Sequence, residues 1–379
     1  MRSLLRYARS KKEEIVAAIG EMVECESPSD SPADVNRYVD LLIEHAKDIA
    51  SPKLTKSVRC GHQLRLDFKL PGRVKQGRIL GLGHSDTVWP SGTLRSMPFV
   101  RRKGRLWGPG VLDMKSGIAF FLYAARALRD LDIPIERKIS LLVVSDEEIG
   151  SPHSRSLTES EAKDSTSVLV LEPGTGLAGK LKTARKGIAG YQLTVAGKAA
   201  HAGVDFSSGA SAILELARQI ERVAAFTDLA RGTTVNVGTI HGGTRTNVIA
   251  ADAWAGIDVR IARAKDAAVI DRKFRALRPL DKRCELSVEG GLNRPPMERT
   301  KGIVQLFEQA KMLGAEMGIA VEESSTGGGS DGNFTAPIGI PTLDGLGGVG
   351  EGAHATNESI LIDRIADRTA LLAGLLSRL

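Results

Sequence analysis

Three short apolar runs constrain the fold of this chain more than any other feature of its sequence. They occupy residues 79–82, 139–144 and 168–171, and each has the length and β-branched content of a strand that is buried on both faces. Helical patterns lie between the runs, most clearly at residues 115–131. Because strands that alternate with helices form largely parallel sheets, the sequence predicts an α/β fold with a mixed, mostly parallel sheet sandwiched by helices.

The pattern changes near residue 180 and stays different to about residue 291. Alternating apolar and polar residues there predict half-exposed strands, and amphipathic segments predict helices, in the order βαββαβ. The predicted strands and helices cover residues 191–195, 210–223, 234–240, 253–261, 264–277 and 284–288. This order is typical of a two-layer, ferredoxin-like α+β domain. From the length of 379 residues we predict a main domain at 1–182 and 293–379, with an inserted lid domain at 183–292.

Composition and charge exclude several classes of protein. Hydrophobic residues make up 42% and charged residues 26% of the chain, as in soluble globular proteins. The net charge of +7 comes from scattered side chains and not from a basic strip, so we predict no nucleic-acid partner. No long apolar span is present and the first 16 residues lack the apolar run of a signal peptide, which predicts a cytoplasmic protein without a membrane partner. The widely spaced Cys25, Cys60 and Cys284 favour neither disulfides nor a cysteine-rich metal site.

Polar side chains follow each of the three apolar runs. In chain order they are His84 and Asp86, then Asp146, Glu147 and Glu148, then Glu172. Open α/β sheets bind ligands beyond the carboxyl ends of their strands, so we expect these groups to converge on one crevice. Crowded carboxylates resist ionisation unless cations compensate them. Histidine and carboxylate without cysteine are typical of a catalytic zinc or a similar ion.

Each of these signals alone also has a structural explanation. A His-x-Asp pair is often a hydrogen-bonded surface pair, and an Asp-Glu-Glu run is usually a solvated charge cluster. Glu172 can cap a turn, and Asp113 can be the N-cap of the helix that begins near Lys115. The coincidence of all these groups at strand ends or in glycine-rich loops favours the metal site.

The ordered motifs carry a family resemblance over nearly the whole chain. They are His84-Ser-Asp86-Thr, Trp107-Gly-Pro-Gly-Val-Leu-Asp113-Met-Lys-Ser-Gly117, Asp146-Glu-Glu-Ile-Gly-Ser151, Glu172-Pro and a late His354. This set resembles the two-zinc aminoacylase and carboxypeptidase metallopeptidase family. Its nearest similarity is to the glutamate carboxypeptidase branch, and it also resembles succinyl-diaminopimelate desuccinylase.

The resemblance implies two divalent metal ions per subunit, with zinc expected and cobalt or manganese as alternatives. It implies that Asp113 bridges the ions, with His84 and Glu172 on one and Glu148 and His354 on the other. The implied nucleophile is a hydroxide between the ions. The implied roles of two further carboxylates are those of general base for Glu147 and of orienting partner of the His84 imidazole for Asp86. The family also implies a cis peptide bond after Asp113.

The predicted lid carries a second set of candidate residues. The motif Gly197-Lys-Ala-Ala-His201-Ala-Gly203 resembles the family motif whose histidine stabilises the oxyanion in the partner subunit's active site, which implies a homodimer formed through the lid. Asn247 and Arg260 resemble the pair that binds the substrate's free carboxylate, for which the planar fork of arginine is suited. The alternative for Arg260 is a strand-edge charge paired with Asp258.

The glycine-rich loop at residues 325–333 lacks the Gly-Lys-Ser/Thr ending of a nucleotide-binding loop. In the family a similar loop lines the substrate pocket with backbone N–H groups, which correspond here to Gly329 and Ser330. The sequence has Asn333 where the desuccinylase pattern has an arginine, and the residues around His354 differ from the glutamate carboxypeptidase version. Neither a succinyl substrate nor a C-terminal glutamate is therefore specified.

The leading function implied is a metal-dependent hydrolase that cleaves an amide bond adjacent to a free carboxylate, in a small N-acyl amino acid or dipeptide. An alternative within enzymes is an N-acyl-amino-acid deacylase of the acetylornithine or succinyl-diaminopimelate type. A third is a non-catalytic peptide-binding relative, which the presence of every expected ligand together with Glu147 and His201 disfavours.

Overall fold

A computed structural model describes residues 1–73 and 75–379 of the chain. Its helices are α1 (Arg2–Ser10), α2 (Lys12–Glu24), α3 (Pro32–Ala46), α4 (Ser116–Asp130), α5 (Arg155–Lys163), α6 (Ala212–Ala224), α7 (Ala264–Arg275), α8 (Lys301–Met317), α9 (Gly332–Thr335) and α10 (Ile365–Arg378). Its strands are β1 (Ala50–Thr55), β2 (Gln63–Phe68), β3 (Arg78–His84), β4 (Val100–Arg102), β5 (Arg105–Trp107), β6 (Lys138–Val144), β7 (Ser167–Val170), β8 (Leu181–Arg185), β9 (Gly187–Ala196), β10 (Thr234–Gly242), β11 (Asp252–Ile261), β12 (Glu285–Arg294), β13 (Glu323–Thr326), β14 (Thr342–Leu343), β15 (Gly350–Glu351) and β16 (Ser359–Leu361).

The three apolar runs form the centre of a six-stranded sheet in the order β1-β2-β6-β3-β7-β14. Strand β3 pairs in parallel with both β6 and β7, and β14 continues the parallel part beyond β7. The pairings of β1 with β2 and of β2 with β6 are antiparallel. Every residue of β3 is buried, as predicted for a strand covered on both faces. The predicted mixed, mostly parallel α/β sheet is confirmed.

Helices cover this sheet because their own side chains are mostly apolar. Helix α4 buries nearly all of its residues, and α10 packs beside it with a similarly buried sequence. The contact between α4 and β3 is close: a Cβ added to Gly81 would lie 2.5 Å from Cε2 of Phe121. Glycine at this position therefore lets the helix approach the strand. One continuous apolar core results from this packing.

Two units are distinguished by their internal contacts. The first comprises residues 1–184, 299–326 and 330–379, and the second comprises residues 185–298 and 327–329. The sequence-based division at 182/183 and 292/293 into a main domain and an inserted lid domain stays a prediction. No helix in the described part of the chain is both long and apolar enough to cross a membrane.

The second unit has the predicted βαββαβ order, with an antiparallel sheet β10-β11-β9-β12. Buried and exposed residues alternate along β9 and β11, so one face of the sheet carries the core. Helices α6 and α7 contribute to this core, in which the ring of Tyr191 stacks on Phe274 at 3.9 Å. Ser211 caps α6 by accepting a hydrogen bond from the N–H of Leu214.

Candidate metal centre

The predicted polar groups lie at one edge of the large sheet. His84 is the last residue of β3, Glu148 follows β6 in the same loop as Glu147, and Glu172 follows β7 by two residues. Because β3, β6 and β7 are parallel neighbours, their carboxyl ends meet at the same edge. The sheet alone therefore brings these strand ends together.

Two further residues reach this edge from segments outside the sheet. Asp113 lies in a short irregular helical turn, at residues 111–115, that leads into α4. The peptide bond between Asp113 and Met114 is cis, as predicted. His354 lies in the loop between β15 and β16, with a positive φ of 62°. This backbone conformation is uncommon outside glycine and aims the imidazole at the carboxylates.

The two oxygens of Asp113 face two different histidines. Oδ1 lies 3.2 Å from Nε2 of His84, which in turn is 3.7 Å from Oε1 of Glu172. Oδ2 lies 3.4 Å from Nε2 of His354, which is 3.2 Å from Oε2 of Glu148. Two groups that could each hold a metal ion result, and they share Asp113. The sequence prediction assigned these same residues to these same two groups.

The chemistry of the donors fits two cations. Three carboxylates and two imidazoles converge, with no cysteine in either group. Oε1 of Glu148 is buried and has no hydrogen-bond partner among the residues that the structure describes. A buried carboxylate oxygen without a donor is costly unless a cation compensates it. Burial and the neighbouring Asp113 raise the pKa of Glu148, because both disfavour a further negative charge at this place.

The same carboxylates change the proton affinity of both histidines. Burial alone would lower the pKa of His84, but hydrogen bonds with Asp113 and Asp86 raise it well above its ordinary value. Hydrogen bonds with Asp113 and Glu148 raise the pKa of His354 to about 10. Both shifts have the same cause, which is the negative charge of the carboxylates around the two imidazoles. A bound cation would supply compensating positive charge at the same place.

Asp86 faces the imidazole of His84 with both its main chain and its side chain. Nδ1 of His84 hydrogen-bonds the backbone carbonyl oxygen of Asp86 at 2.8 Å, while the nearer carboxylate oxygen lies at 3.5 Å. The carboxylate also accepts the backbone N–H groups of Glu147 and Glu148, both at 3.2 Å. It accepts the hydroxyl of Ser29 at 2.8 Å as well. The side chain of Asp86 therefore connects His84 to the loop that carries Glu147 and Glu148.

Glu147 belongs to neither group of candidate ligands. Glu147 and its neighbour Glu148 are both half-buried as residues, and the side chain of Glu148 is only 6% exposed. The backbone of Glu147 is held by Asp86. The main chain of Glu147 is thus fixed next to the candidate ligand Glu148.

Comparison with known proteins assigns the chain to a family. The model of peptidase family M20/M25/M40 matches residues 81–378, which include all five candidate ligands. The chain belongs to this family. It is accordingly a hydrolytic enzyme of a metal-dependent peptidase family, in agreement with the sequence prediction.

Individual members of family M20/M25/M40 resemble the chain at moderate identity. Carboxypeptidase G2 from Pseudomonas sp. (strain RS-16) is 29% identical, over 98% of this chain and 91% of the relative. Succinyl-diaminopimelate desuccinylase from Bordetella petrii is 31% identical, over 74% of this chain and 77% of the relative. Among solved structures, aminopeptidase PepT from Bacillus cereus superposes with a TM-score of 0.79 at 23% identity, over 97% of this chain and 98% of that one.

The predicted lid residues of this M20 peptidase lie in the second unit. His201 is exposed, and its Nδ1 accepts the backbone N–H of Gly203. The backbone carbonyl of Asn247 accepts the N–H of Ala202, so the loops that carry His201 and Asn247 are joined. Because Nδ1 of His201 is engaged in this way, Nε2 is the ring nitrogen that can bind another group.

Arg260 forms the ion pair that the sequence left as an alternative. Its Nε and one Nη donate to the two carboxylate oxygens of Asp258, at 2.8 and 3.0 Å. The other Nη donates to the carbonyl of Gly327 at 3.2 Å. The guanidinium is thus held in a bidentate pair with an acid of the same strand.

Gly329 and Ser330 differ in what they offer. The carbonyl of Gly329 accepts a hydrogen bond from Arg185 at 2.7 Å. Ser330 is fully buried, and its backbone N–H donates to the side-chain oxygen of Asn333 at 3.0 Å. The sequence predicted that the N–H of Ser330 lines a substrate pocket. In the structure this N–H is bound by the side chain of Asn333 in α9, which would compete with a substrate for it.

One residue of the centre was missed from the sequence. Glu358 is fully buried and accepts four N–H groups, one of them from the backbone of Asp113. Burial raises its pKa to about 7, and these donors act in the opposite direction. The only signal in the sequence is an acidic residue four positions after His354, which is too common a pattern to indicate a role.

Proposed function

We propose that this M20 peptidase is a two-metal hydrolase that cleaves an amide bond adjacent to a free carboxylate. The observation that carries the proposal is the pair of donor groups sharing Asp113, whose two oxygens face His84 and His354 separately. The relatives support the reaction class, since one is a carboxypeptidase and another removes a succinyl group from an amine. The substrate is a small N-acyl amino acid or dipeptide.

We assign one ion to His84, Asp113 and Glu172 and the other to Asp113, Glu148 and His354. Two nitrogen donors and three carboxylates favour zinc, and the same donors also accept cobalt or manganese. When bound, the two ions polarise the scissile carbonyl and lower the pKa of water. The protein's own part is to hold the five donor side chains in place.

Glu147 moves the proton in this proposal. Its carboxylate takes a proton from the attacking water and gives it to the nitrogen of the leaving amine. The Asp86 carboxylate binds the backbone N–H groups of both Glu147 and Glu148 and so fixes the loop that carries them. The Asp86 carboxylate is therefore a positioning group for the base.

The free carboxylate of the substrate is bound, in this proposal, by Asn247 and Arg260, with the backbone of Gly329 contributing. Arg260 already binds a carboxylate in the required bidentate manner, that of Asp258. Binding the substrate would then require Arg260 to share its N–H groups or to exchange one partner for the other. The pairing with Asp258 keeps the guanidinium oriented before substrate arrives.

We further propose that the chain forms a homodimer through a lid and dimerisation domain at residues 183–292. His201 of the partner subunit would then stabilise the oxyanion that forms as the amide carbon becomes tetrahedral. Its Nδ1 accepts the N–H of Gly203, which leaves Nε2 as the donating nitrogen. A monomeric form of this protein would bind metal and lack most of its activity.

The proposal is tested by substituting Glu147 with Gln and following amine release. The substrates are acetyl, succinyl, folyl and aminoacyl derivatives of glutamate, lysine and neutral amino acids. Loss of the base should lower kcat about 10²- to 10⁴-fold while both metal ions remain bound. Glu322→Gln is the control, because Glu322 is exposed and pairs with Lys180 at 2.6 Å.

Two results would contradict the proposal in different ways. A wild-type enzyme that binds two ions per chain and cleaves no member of the panel is not an exopeptidase of this class. A Glu147→Gln enzyme that retains the turnover of the wild type has another base.

A second candidate function is favoured by the identity of 31% to a succinyl-diaminopimelate desuccinylase. In that case the enzyme is an N-acyl-amino-acid deacylase, of the succinyl-diaminopimelate or acetylornithine type. The residue at 333 argues against the succinyl form, because asparagine is neutral and is fully buried here. Faster release from acetyl or succinyl substrates than from aminoacyl or folyl substrates would identify the deacylase.

A further inference from the structure

Glu358 is a buried carboxylate that binds several of the loops around the candidate metal centre. Its Oε1 accepts the backbone N–H groups of Leu112 at 2.8 Å and Asp113 at 3.1 Å. Its Oε2 accepts the backbone N–H of Gly110 at 2.9 Å and the indole N–H of Trp89 at 2.8 Å. One carboxylate thus satisfies four donors, and none of the residue is exposed.

These four donors belong to segments that carry candidate metal ligands. Trp89 lies in the loop that follows His84, and Gly110, Leu112 and Asp113 form the turn with the shared carboxylate. Glu358 itself lies four residues after His354 and closes a turn by donating its N–H to the carbonyl of Ala355 at 2.9 Å. The side chain therefore joins three ligand-bearing segments that are far apart in the sequence.

The main chain alone does not make this connection. Strand β16 pairs with β5, with Ser359 opposite Trp107, and the carbonyl of Glu358 accepts the N–H of Gly108 at 3.3 Å. Beyond Gly108 the backbone leaves the strand and turns toward Asp113. The carboxylate of Glu358 holds that turn where strand pairing has ended.

We infer that Glu358 is a positioning residue that sets the distance between Asp113 and His354 and so makes the second metal site. This inference rests on the proposed two-metal function. His84 and Glu172 are held at the ends of paired strands, whereas Asp113 and His354 lie in loops. Loss of Glu358 should thus weaken the site that contains His354 and Glu148 more than the site that contains His84 and Glu172.

The geometry also explains why glutamine is a poor replacement. An amide has one acceptor oxygen and one NH₂ donor, so a Gln at 358 would leave two N–H groups facing a donor instead of an acceptor. Buried donors that lose an acceptor are costly, and the turn would move to find others. Partners of metal ligands that are removed in this way typically cost about 10- to 100-fold in metal affinity.

The experiment compares metal binding by the wild type, Glu358→Gln and Glu351→Gln, starting from metal-free full-length protein. Glu351 is the matched control, because it lies three residues before His354 but is half exposed and pairs with Arg105 at 2.9 Å. Zn²⁺ titration with calorimetry gives the two affinities, and Co²⁺ absorption reports the coordination of each ion. We expect Glu358→Gln to bind one ion with affinity near that of the wild type and the other about 10- to 100-fold more weakly.

Trp89→Phe provides a second variant in case Glu358→Gln does not fold. This substitution removes one of the four donors to Glu358 and leaves the carboxylate in place. We therefore expect the affinity for the same ion to fall by a smaller factor, about 3- to 10-fold. Unchanged affinity for both ions in the variants that fold, or equal weakening of both, would overturn the positioning role. A wild type that binds fewer than two ions would instead contradict the proposed function, independently of Glu358.

Discussion

A single methyl group tests how tightly the residues around the metal centre are packed. A Cβ added to Gly117 in α4 would lie 2.1 Å from the carbonyl oxygen of Leu171, the residue before Glu172, and 3.2 Å from Cα of Gly347. Helix propensity alone would make Gly117→Ala stabilising by about 1 kcal/mol. We expect the clash with fixed backbone to prevail and to lower the free energy of unfolding by about 1–3 kcal/mol.

Urea denaturation at neutral pH measures this difference. Gly190→Ala is the control, because a Cβ there meets no atom within 4 Å and the effect should stay within about 0.5 kcal/mol. A stabilised Gly117→Ala protein would show that the helix can shift away from Leu171.

At the same scale, the sequence predicted residue types better than their contacts. His84 and Glu172 could be found because ligand chemistry limits the side chains that suit a metal and because polar groups follow buried strands, whereas Asp113 was indicated by the family resemblance of its motif. The sequence indicated that Asp86 faces the His84 imidazole, but it could not indicate that the backbone carbonyl would make the shorter contact, at 2.8 Å against 3.5 Å for the carboxylate. Glu358 was missed because its role depends on a fold that brings distant loops together.

At the scale of elements, Asp48 links the segment after α3 to helix α4. Its two carboxylate oxygens accept hydrogen bonds from Arg126 at 3.1 Å and Arg129 at 2.7 Å. Burial would raise the pKa of Asp48, but the two arginines lower it from 3.8 to about 2. The unfolded chain therefore binds this proton more readily, so the contribution to stability is complete above about pH 4 and is lost as the pH falls toward 2.

We expect Asp48→Asn to lower stability at neutral pH by less than about 1 kcal/mol, because the carboxylate is 43% exposed and water screens the pair. The difference from the wild type should narrow between pH 4 and pH 2. Urea midpoints of both proteins across this range provide the measurement. If the two proteins differ in stability by the same amount at pH 7 and pH 2.5, the charge of Asp48 does not contribute to the link between the segment after α3 and helix α4.

Elements were predictable where burial imposes a pattern. Strands β3, β6 and β7 are buried on both faces and appear in the sequence as continuous apolar runs. Strand β1 has five exposed residues out of six and a proline, so nothing in its sequence marks it as a strand. The sheet β15-β16-β5-β4 consists of strands of two or three residues, too short for any periodicity to appear.

At the scale of the whole molecule, the candidate ligands belong to one unit only. His84, Asp113, Glu148, Glu172 and His354 all lie in the first unit, and neither donor group in the described part of the chain includes a residue of the second. The sequence predicted two kinds of domain from the change in pattern near residue 180. It did not predict that residues 327–329 return to the second unit, because a run of three glycines carries no packing pattern.

Removal of the metal ions should consequently destabilise one unit and spare the other. Ions at 100 times their dissociation constant stabilise the state that binds them by about 2.7 kcal/mol per site, so a chelator should cost the first unit at least that amount. Hydrogen exchange with and without chelator gives a local measurement: amides of β3 and β6 should lose protection, whereas those of β9 and β11 should keep it. Restoring Zn²⁺ controls for damage by the chelator. Equal loss in both units would mean that their stabilities are coupled and that the metal centre supports the whole chain.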